Sequence, residues 1–304
     1  MSELDGVKLN FNSESLWVLN VILAVIMFGI ALDLRVEDFR RLKSNPRSSL
    51  VGILAQFVLL PAVTFLMVWI IEPLPSIALG MMLVAACPGG NISNFLAHLA
   101  RGNTALSVSL TAAGTVLAIF TTPLNFSLWA GLYPPTAGLL KEVSLDAWNM
   151  IQTILTLAGI PLLLGMLVGH RYPTLATKLA RAVKPFSIIT FIAFVLMAFF
   201  NNMGHFMNHI HRVIIIVFVH NAFALLTGYY TARVAGLSLQ DQRTIAIETG
   251  IQNSGLGLIL IFRFFDGMGG MALVAAWWGI WHIISGLTLS WFWGRVGARE
   301  NARS

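Results

Sequence analysis

Two stretches place amides, hydroxyls and a carboxylate in the middle of long apolar runs. The first is Cys87-Pro88-Gly89-Gly90-Asn91-Ile92-Ser93-Asn94, and the second is Glu248-Thr249-Gly250-Ile251-Gln252-Asn253-Ser254-Gly255. Pro88 removes a backbone donor, and the glycines lower the cost of leaving helical geometry. A break at either place frees carbonyls and helix ends. Freed carbonyls with side-chain oxygens suit a hard cation, and positive helix N-termini suit an anion. Ser107 and Thr111 are four residues apart and share a helix face. With Ser93, Asn94 and Glu248 they supply one carboxylate and four neutral oxygens, a donor set that reads as a sodium site.

Plainer readings stand beside this one. Ser107 and Thr111 could bond back to carbonyls of their own helix, a common arrangement. Glu248 could be a wet residue one turn into a span that starts near Thr244, or it could be a proton carrier. Gly250 and Gly255 favour a break over the first of these.

The elements that must hold these groups follow from composition. Of 304 residues, 57% are hydrophobic and 11% are charged, against about 25% charged in a soluble domain. Mean hydropathy is +0.79. These values exclude a single water-soluble core and predict an all-α polytopic membrane protein, since only helices and closed barrels cross lipid. The single cysteine, Cys87, excludes an internal disulfide framework. The acidic start, Met1 to Asp5, lacks the basic region and cleavage site of a signal peptide. The net charge of +6 is read as basic cytoplasmic loops and not as a nucleic-acid surface.

Nine apolar runs are long enough to span: 16–34, 48–71, 76–98, 105–130, 147–169, 186–203, 213–234, 244–265 and 270–293. With the N-terminus outside, fifteen Lys and Arg fall on the inner side and four (Lys8, Lys141, Arg212 and Arg263) on the outer side. The positive-inside rule then sets the orientation, with the tail 294–304 cytoplasmic. Spans 3 and 8 are the interrupted ones, and each follows a span with an isolated amide, Gln56 or Asn221. Spans 5–9 read as a five-helix repeat, and spans 1–4 as the same repeat inverted, without its first helix. A matched pair of Gly/Pro-interrupted helices points to the binding site of a secondary transporter.

Several further motifs share a pattern with a known family: Cys-Pro-Gly-Gly-x-x-Ser-Asn at 87–94, Ala-Arg-Gly-Asn at 100–103, Leu-Ser-Val at 106–108 and Glu-x-Gly-x-Gln-Asn-Ser-Gly-Leu at 248–256. Met-Phe-Gly-Ile-Ala-Leu at 27–32, Ala-Gln-Phe at 55–57, His220-Asn221 and the run from Trp281 to Gly286 belong to the same set. Over about 20 to 290 the chain resembles the bile acid:sodium symporter family. The resemblance implies a core domain (48–130 and 213–293) with two crossed discontinuous helices, and a panel domain (16–34 and 147–203). It implies two sodium ions, one held by Ser93, Asn94, Ser107, Thr111 and Glu248. The other would be held by Gln56, Glu248 and Gln252 with the carbonyls around Thr249 and Ile251. Substrate would lie between the domains near Asn91, Asn253 and His282. Asn91 stands where the family pattern has a small hydroxyl residue, and Ile283 where it has an amide. That points away from bile acid and toward a smaller organic anion such as pantoate or a 2-oxo acid. The implied partners are this anion and the bilayer, with no organic cofactor, nucleic acid or obligatory protein partner.

Other features carry less. His205, His209 and His211 in an outer loop have loose spacing for a metal site. Cys87 reads as a packing residue, and the nine Trp as interfacial anchors or packing. No His-Glu-x-x-His or Gly-x-Ser-x-Gly pattern supports an enzyme. The rival transport reading is a proton-coupled or uncoupled efflux permease of the same superfamily, and a sensor that kept the fold is a further alternative.

Overall fold

The computed structural model describes residues 13–142, 147–183, 185–186, 189 and 203–301. Among these the chain is all-α, with one isolated antiparallel bridge, Gly89 to Gln252. The helices are α1 (Ser13–Ala31), α2 (Val36–Ser44), α3 (Pro46–Ile71), α4 (Pro75–Ala86), α5 (Ile92–Leu99), α6 (Thr104–Leu132), α7 (Pro134–Glu142), α8 (Ala147–Arg171), α9 (Met203–Val234), α10 (Leu239–Gly250), α11 (Ser254–Phe264) and α12 (Gly269–Asn301). Five of them, α3, α6, α8, α9 and α12, are long and apolar enough to cross a membrane.

Local chemistry sets the ends. Proline opens α3, α4 and α7, where a missing N–H costs nothing. The side chains of Asn103, Ser238 and Asn253 accept from the backbone N–H of Leu106, Asp241 and Leu256, capping α6, α10 and α11. Prolines inside spans also leave a mark. The π-turns Ala55–Leu59 in α3 and Leu155–Gly159 in α8 each end two residues before a proline, Pro61 or Pro161. Pro61 cannot donate to the carbonyl of Phe57, and Asn125 of α6 does so instead, at 3.0 Å. The backbone group orphaned by the proline is thereby paired from a neighbouring helix, as lipid requires.

Packing gathers the helices around the two short pairs. Helix α4 packs on α3, α6 and α12, while α10 packs on α5, α6 and α9. Helices α1 and α8 pack on each other, with α6 and α11 behind them. Trp278, Phe126, Leu79, Met81 and Leu83 are fully buried in this assembly. Gly228 lets α9 approach α10 closely, since a Cβ there would lie 2.5 Å from the carbonyl of Ile245. The outward faces are apolar: Leu66 and Ile70 on α3, Leu163 and Leu167 on α8, and Ile215 and Phe218 on α9 are exposed. In water that much apolar surface would be a liability, whereas hydrocarbon covers it at no cost. The protein is an integral membrane protein.

Most expected spans coincide with helices to within a few residues, and both expected interruptions are present, at 87–91 and 251–253. Two readings need correction. Helix α10 begins at Leu239, not near Thr244, because Ser238 caps it and Asp241 occupies its first turn. Glu248 is therefore more than two turns inside the helix and is buried. The stretch 204–211, read as an outer loop, is the first part of α9, and its histidine side chains lie outside the described residues. Span 6 (186–203) falls almost wholly outside them as well.

Replacing Asn125 with Leu leaves the carbonyl of Phe57 unpaired at membrane depth. The expected cost is about 1 kcal/mol, read as a lower midpoint of thermal unfolding in detergent. An unchanged midpoint would show that the π-turn satisfies this carbonyl unaided.

Candidate functional site

The two interruptions lie against each other as short extended segments. The N–H of Gly90 donates to the carbonyl of Ile251 at 2.7 Å, and the N–H of Asn253 donates to the carbonyl of Pro88 at 2.8 Å. Each break thus satisfies part of the other. Two further carbonyls are reached by the isolated amides of the preceding helices. Gln56 Nε2 donates to the carbonyl of Cys87 at 3.0 Å, and Asn221 Nδ2 donates to that of Gly250 at 2.7 Å. Ser285 of α12 in turn donates to Asn221 Oδ1 at 2.6 Å, which fixes that amide's orientation. The same device closes both breaks, an amide from the helix before each interrupted pair.

Beside this crossing the five residues of the expected first cation set meet. Glu248 Oε1 accepts from Ser93 Oγ at 2.6 Å, from Ser107 Oγ, and from Thr111 Oγ1 at 2.9 Å. Thr111 also reaches Asn94 Oδ1 at 3.2 Å. Ser93, Ser107, Thr111 and Glu248 are all buried. Among the described residues no Lys, Arg or His forms an ion pair with this carboxylate. Gly89 permits the arrangement, because a Cβ there would stand 2.7 Å from Glu248 Oε2. Back-bonding to the helix accounts for Ser109 and Thr115, and Thr111 contacts the carbonyl of Ser107 as well. Ser107 itself points to the carboxylate. An isolated buried carboxylate is costly without a counter-charge. Hydroxyls carry lone pairs as well as a proton, so the same groups can turn to present oxygen to a monovalent hard cation. The donor chemistry fits sodium.

Of the second expected set, the two glutamines and Thr249 are brought together by hydrogen bonds. Gln56 Nε2 lies 2.9 Å from Gln252 Oε1, and Gln252 Nε2 donates to the carbonyl of Thr249 at 2.6 Å. Both glutamines are buried. A half-turn of an amide presents oxygen in place of nitrogen. The carbonyl of Ile251, already accepting from Gly90, keeps a second lone pair. Glu248 contacts neither glutamine by a hydrogen bond among the described residues; it joins this set through its chain neighbour Thr249.

The three expected substrate positions are not drawn into one cluster. Asn91 precedes α5 and is exposed. The side-chain oxygen of Asn253 is engaged in capping α11. His282 is buried on α12 with Nδ1 unpartnered. Among the described residues no hydrogen bond joins His282 to either asparagine. What Asn91 and Asn253 do share is position, since each stands at the N-terminus of a half-helix at the crossing.

Two polar clusters were missed from sequence. His220 is fully buried, 2.7 Å from Thr64 Oγ1 and edge-on to Trp278. Asp241 is buried where a loop had been expected, bound by Ser48 and Asn103. The pattern Ser238-x-x-Asp241 was the available signal, since it marks a helix start ahead of Thr244.

Comparison with known proteins gives this geometry a context. The profile of the Sodium Bile acid symporter family matches residues 20–209. The chain is 31% identical over 298 residues to the sodium-dependent transporter YocS of Bacillus subtilis, covering 97% of this chain and 89% of that protein. It is 30% identical over 279 residues to a chloroplastic protein of Arabidopsis thaliana named as a probable sodium/metabolite cotransporter, covering 91% of this chain and 67% of the relative. It is 30% identical over 241 residues to the human ileal sodium/bile acid cotransporter, covering 79% of this chain and 67% of the relative. The family profile covers more than half of the chain and the identity extends along nearly all of it, so this chain belongs to the sodium bile acid symporter family of sodium-dependent membrane transporters.

Proposed function

We propose that the chain is a symporter that imports a small organic anion with two sodium ions by alternating access. The observation that carries this reading is the buried Glu248 carboxylate, ringed by Ser93, Ser107 and Thr111 beside two mutually paired helix breaks. The first sodium takes Ser93, Asn94, Ser107, Thr111 and Glu248 as ligands. The second takes Gln56, Gln252, Glu248 and the carbonyls of Thr249 and Ile251. Each ion supplies the positive charge that the buried acid lacks.

The anion is received by the half-helix N-termini that begin at Ile92 and Ser254, whose partial positive charge favours a carboxylate. Asn91 and Asn253 stand at these helix ends, and the buried His282 of α12 is the third substrate residue of this reading. The exposed Asn91 at one of these helix ends suits a compact 2-oxo or hydroxy acid better than a large steroid. Nine spans cross with the N-terminus outside and the C-terminus cytoplasmic. The core (48–130 and 213–293) rocks against the panel (16–34 and 147–203), and the repeat is inverted without its first helix. The paired placement of Gln56 and Asn221 supports the inverted relation, and the extensive packing of α1 on α8 supports grouping them in the panel.

Two outcomes test this. Glu248→Gln removes the charge but keeps the volume, and Gln252→Ala removes an amide ligand. Both are expected to insert normally and to lower sodium-driven uptake in proteoliposomes about tenfold or more. Wild-type sodium dependence in Glu248→Gln, or uptake by the unaltered protein that follows a proton gradient and ignores sodium, would sink the reading. Second, two sodium ions with one monovalent anion move one net charge inward, worth about 2.3 kcal/mol at 100 mV. An inside-negative potassium diffusion potential should therefore raise initial uptake. An indifferent rate would refute the two-to-one ratio.

A further inference from the structure

Three of the helices that carry the proposed ion ligands also carry, about two turns away, the members of one buried polar layer. Ser48 of α3 donates to Asp241 Oδ2 at 2.7 Å, and Asn103 Nδ2 donates to Asp241 Oδ1 at 2.8 Å. The other end of the Asn103 amide accepts from the N–H of Leu106 and caps α6. The N–H of Asp241 donates to Ser238 Oγ at 3.2 Å, and Thr244 Oγ1 donates to the carbonyl of Asn103 at 3.3 Å. Both carboxylate oxygens and both ends of the amide are thus in use. Ser48 and Asp241 are buried, and among the described residues no cationic side chain forms an ion pair with Asp241.

The spacing ties this layer to the crossing. Asp241 precedes Glu248 by seven residues on α10, which is two turns along one face. Asn103 precedes Ser107 by four and Thr111 by eight on α6, and Ser48 precedes Gln56 by eight on α3. With a rise of 1.5 Å per residue, the pairs lie roughly 6–12 Å apart along their helices, the α3 pair ending within the π-turn Ala55–Leu59. A slide of α6 or α10 at the layer carries its ligand with it, because the helix between is regular. Cation sites tolerate little misplacement of their ligands.

We propose that Asp241, with Ser48 and Asn103, is a positioning clamp that sets the axial register of α3, α6 and α10 and thereby the sodium affinity at the crossing. This rests on the reading of Glu248 as the sodium ligand. None of the three clamp residues touches the ion or the substrate. A buried carboxylate accepting two side-chain bonds is a stiff linchpin, because losing either partner leaves a charged lone pair desolvated.

The test is a hydrogen-bond exchange. Asp241→Asn keeps one acceptor and loses the other, so the sodium concentration for half-maximal uptake should rise about tenfold. Asn103→Asp sets two carboxylates against each other and should be worse. The double variant, N103D with D241N, rebuilds the pair with donor and acceptor exchanged and keeps a good cap on α6. It should return half-saturation to within about threefold of the unaltered protein. Ser48→Ala, the mildest change, should shift sodium dependence in the same direction. The sodium-induced rise in unfolding temperature of purified protein, which needs no transport, should shrink in step. Single variants that lose thermal stability while keeping half-saturation by sodium and the sodium-induced shift would reduce the clamp to a purely structural role and overturn the proposal. An undiminished sodium-induced shift in Glu248→Gln would instead remove the ion site itself, and the clamp would fall with it.

Discussion

The structure depends on one constraint, that no backbone polar group can be left unpaired at membrane depth. Helices meet it by bonding internally. A protein that needs free carbonyls and helix ends at the midplane must interrupt helices and still find partners for what is released. Here the solution is mutual. Gly90 binds Ile251 and Asn253 binds Pro88, so two irregular segments that would each be intolerable alone become a short antiparallel pair. Gln56 and Asn221 then close the carbonyls at the ends of α4 and α10. Only with that backbone settled can Glu248 be held among hydroxyls instead of water.

The crossing also explains residue types that seem unrelated in the linear chain. Gly89 must lack a side chain because the carboxylate of Glu248 passes over it. Asn253 is at once a helix cap and the last residue of the paired segment. Thr122 of α6 donates to the carbonyl of Ala86, the final residue of α4. Asn253 and Thr122 answer orphans created by the breaks, and Gly89 makes room for the acid beside them.

Much of this was legible in the sequence. Apolar run length located most helices, and Pro88, Gly89, Gly90, Gly250 and Gly255 located both breaks. Residue type and spacing grouped Ser93, Ser107, Thr111 and Glu248, and their side chains meet by hydrogen bonds in the fold. What was not legible depends on contacts distant in sequence. The start of α10 was misplaced because Asp241 and Arg243 look like solvent-facing charges, whereas both are buried. Arg243 is accepted there because the carbonyl of Ala100, just past α5, receives its guanidinium at 3.1 Å. The role of Asn125 was invisible for the same reason, since its partner Phe57 is orphaned by a proline on another helix. Pattern reveals which groups need partners, and only the fold reveals who supplies them.

The interlocked breaks also constrain how the protein is made. Ser93 and Glu248 are separated by 155 residues along the chain. At the ribosome's pace of about 5–20 residues per second, the first half emerges roughly 10–30 s before its complement. During that interval the Pro88 to Asn91 segment has no second strand. It must shelter in the insertion machinery or as a provisional continuous helix, and be remodelled when α10 and α11 arrive. Biogenesis of this protein is therefore expected to end with a post-insertion locking step, and a nascent chain truncated before α9 should be recognised by membrane quality control as unfinished.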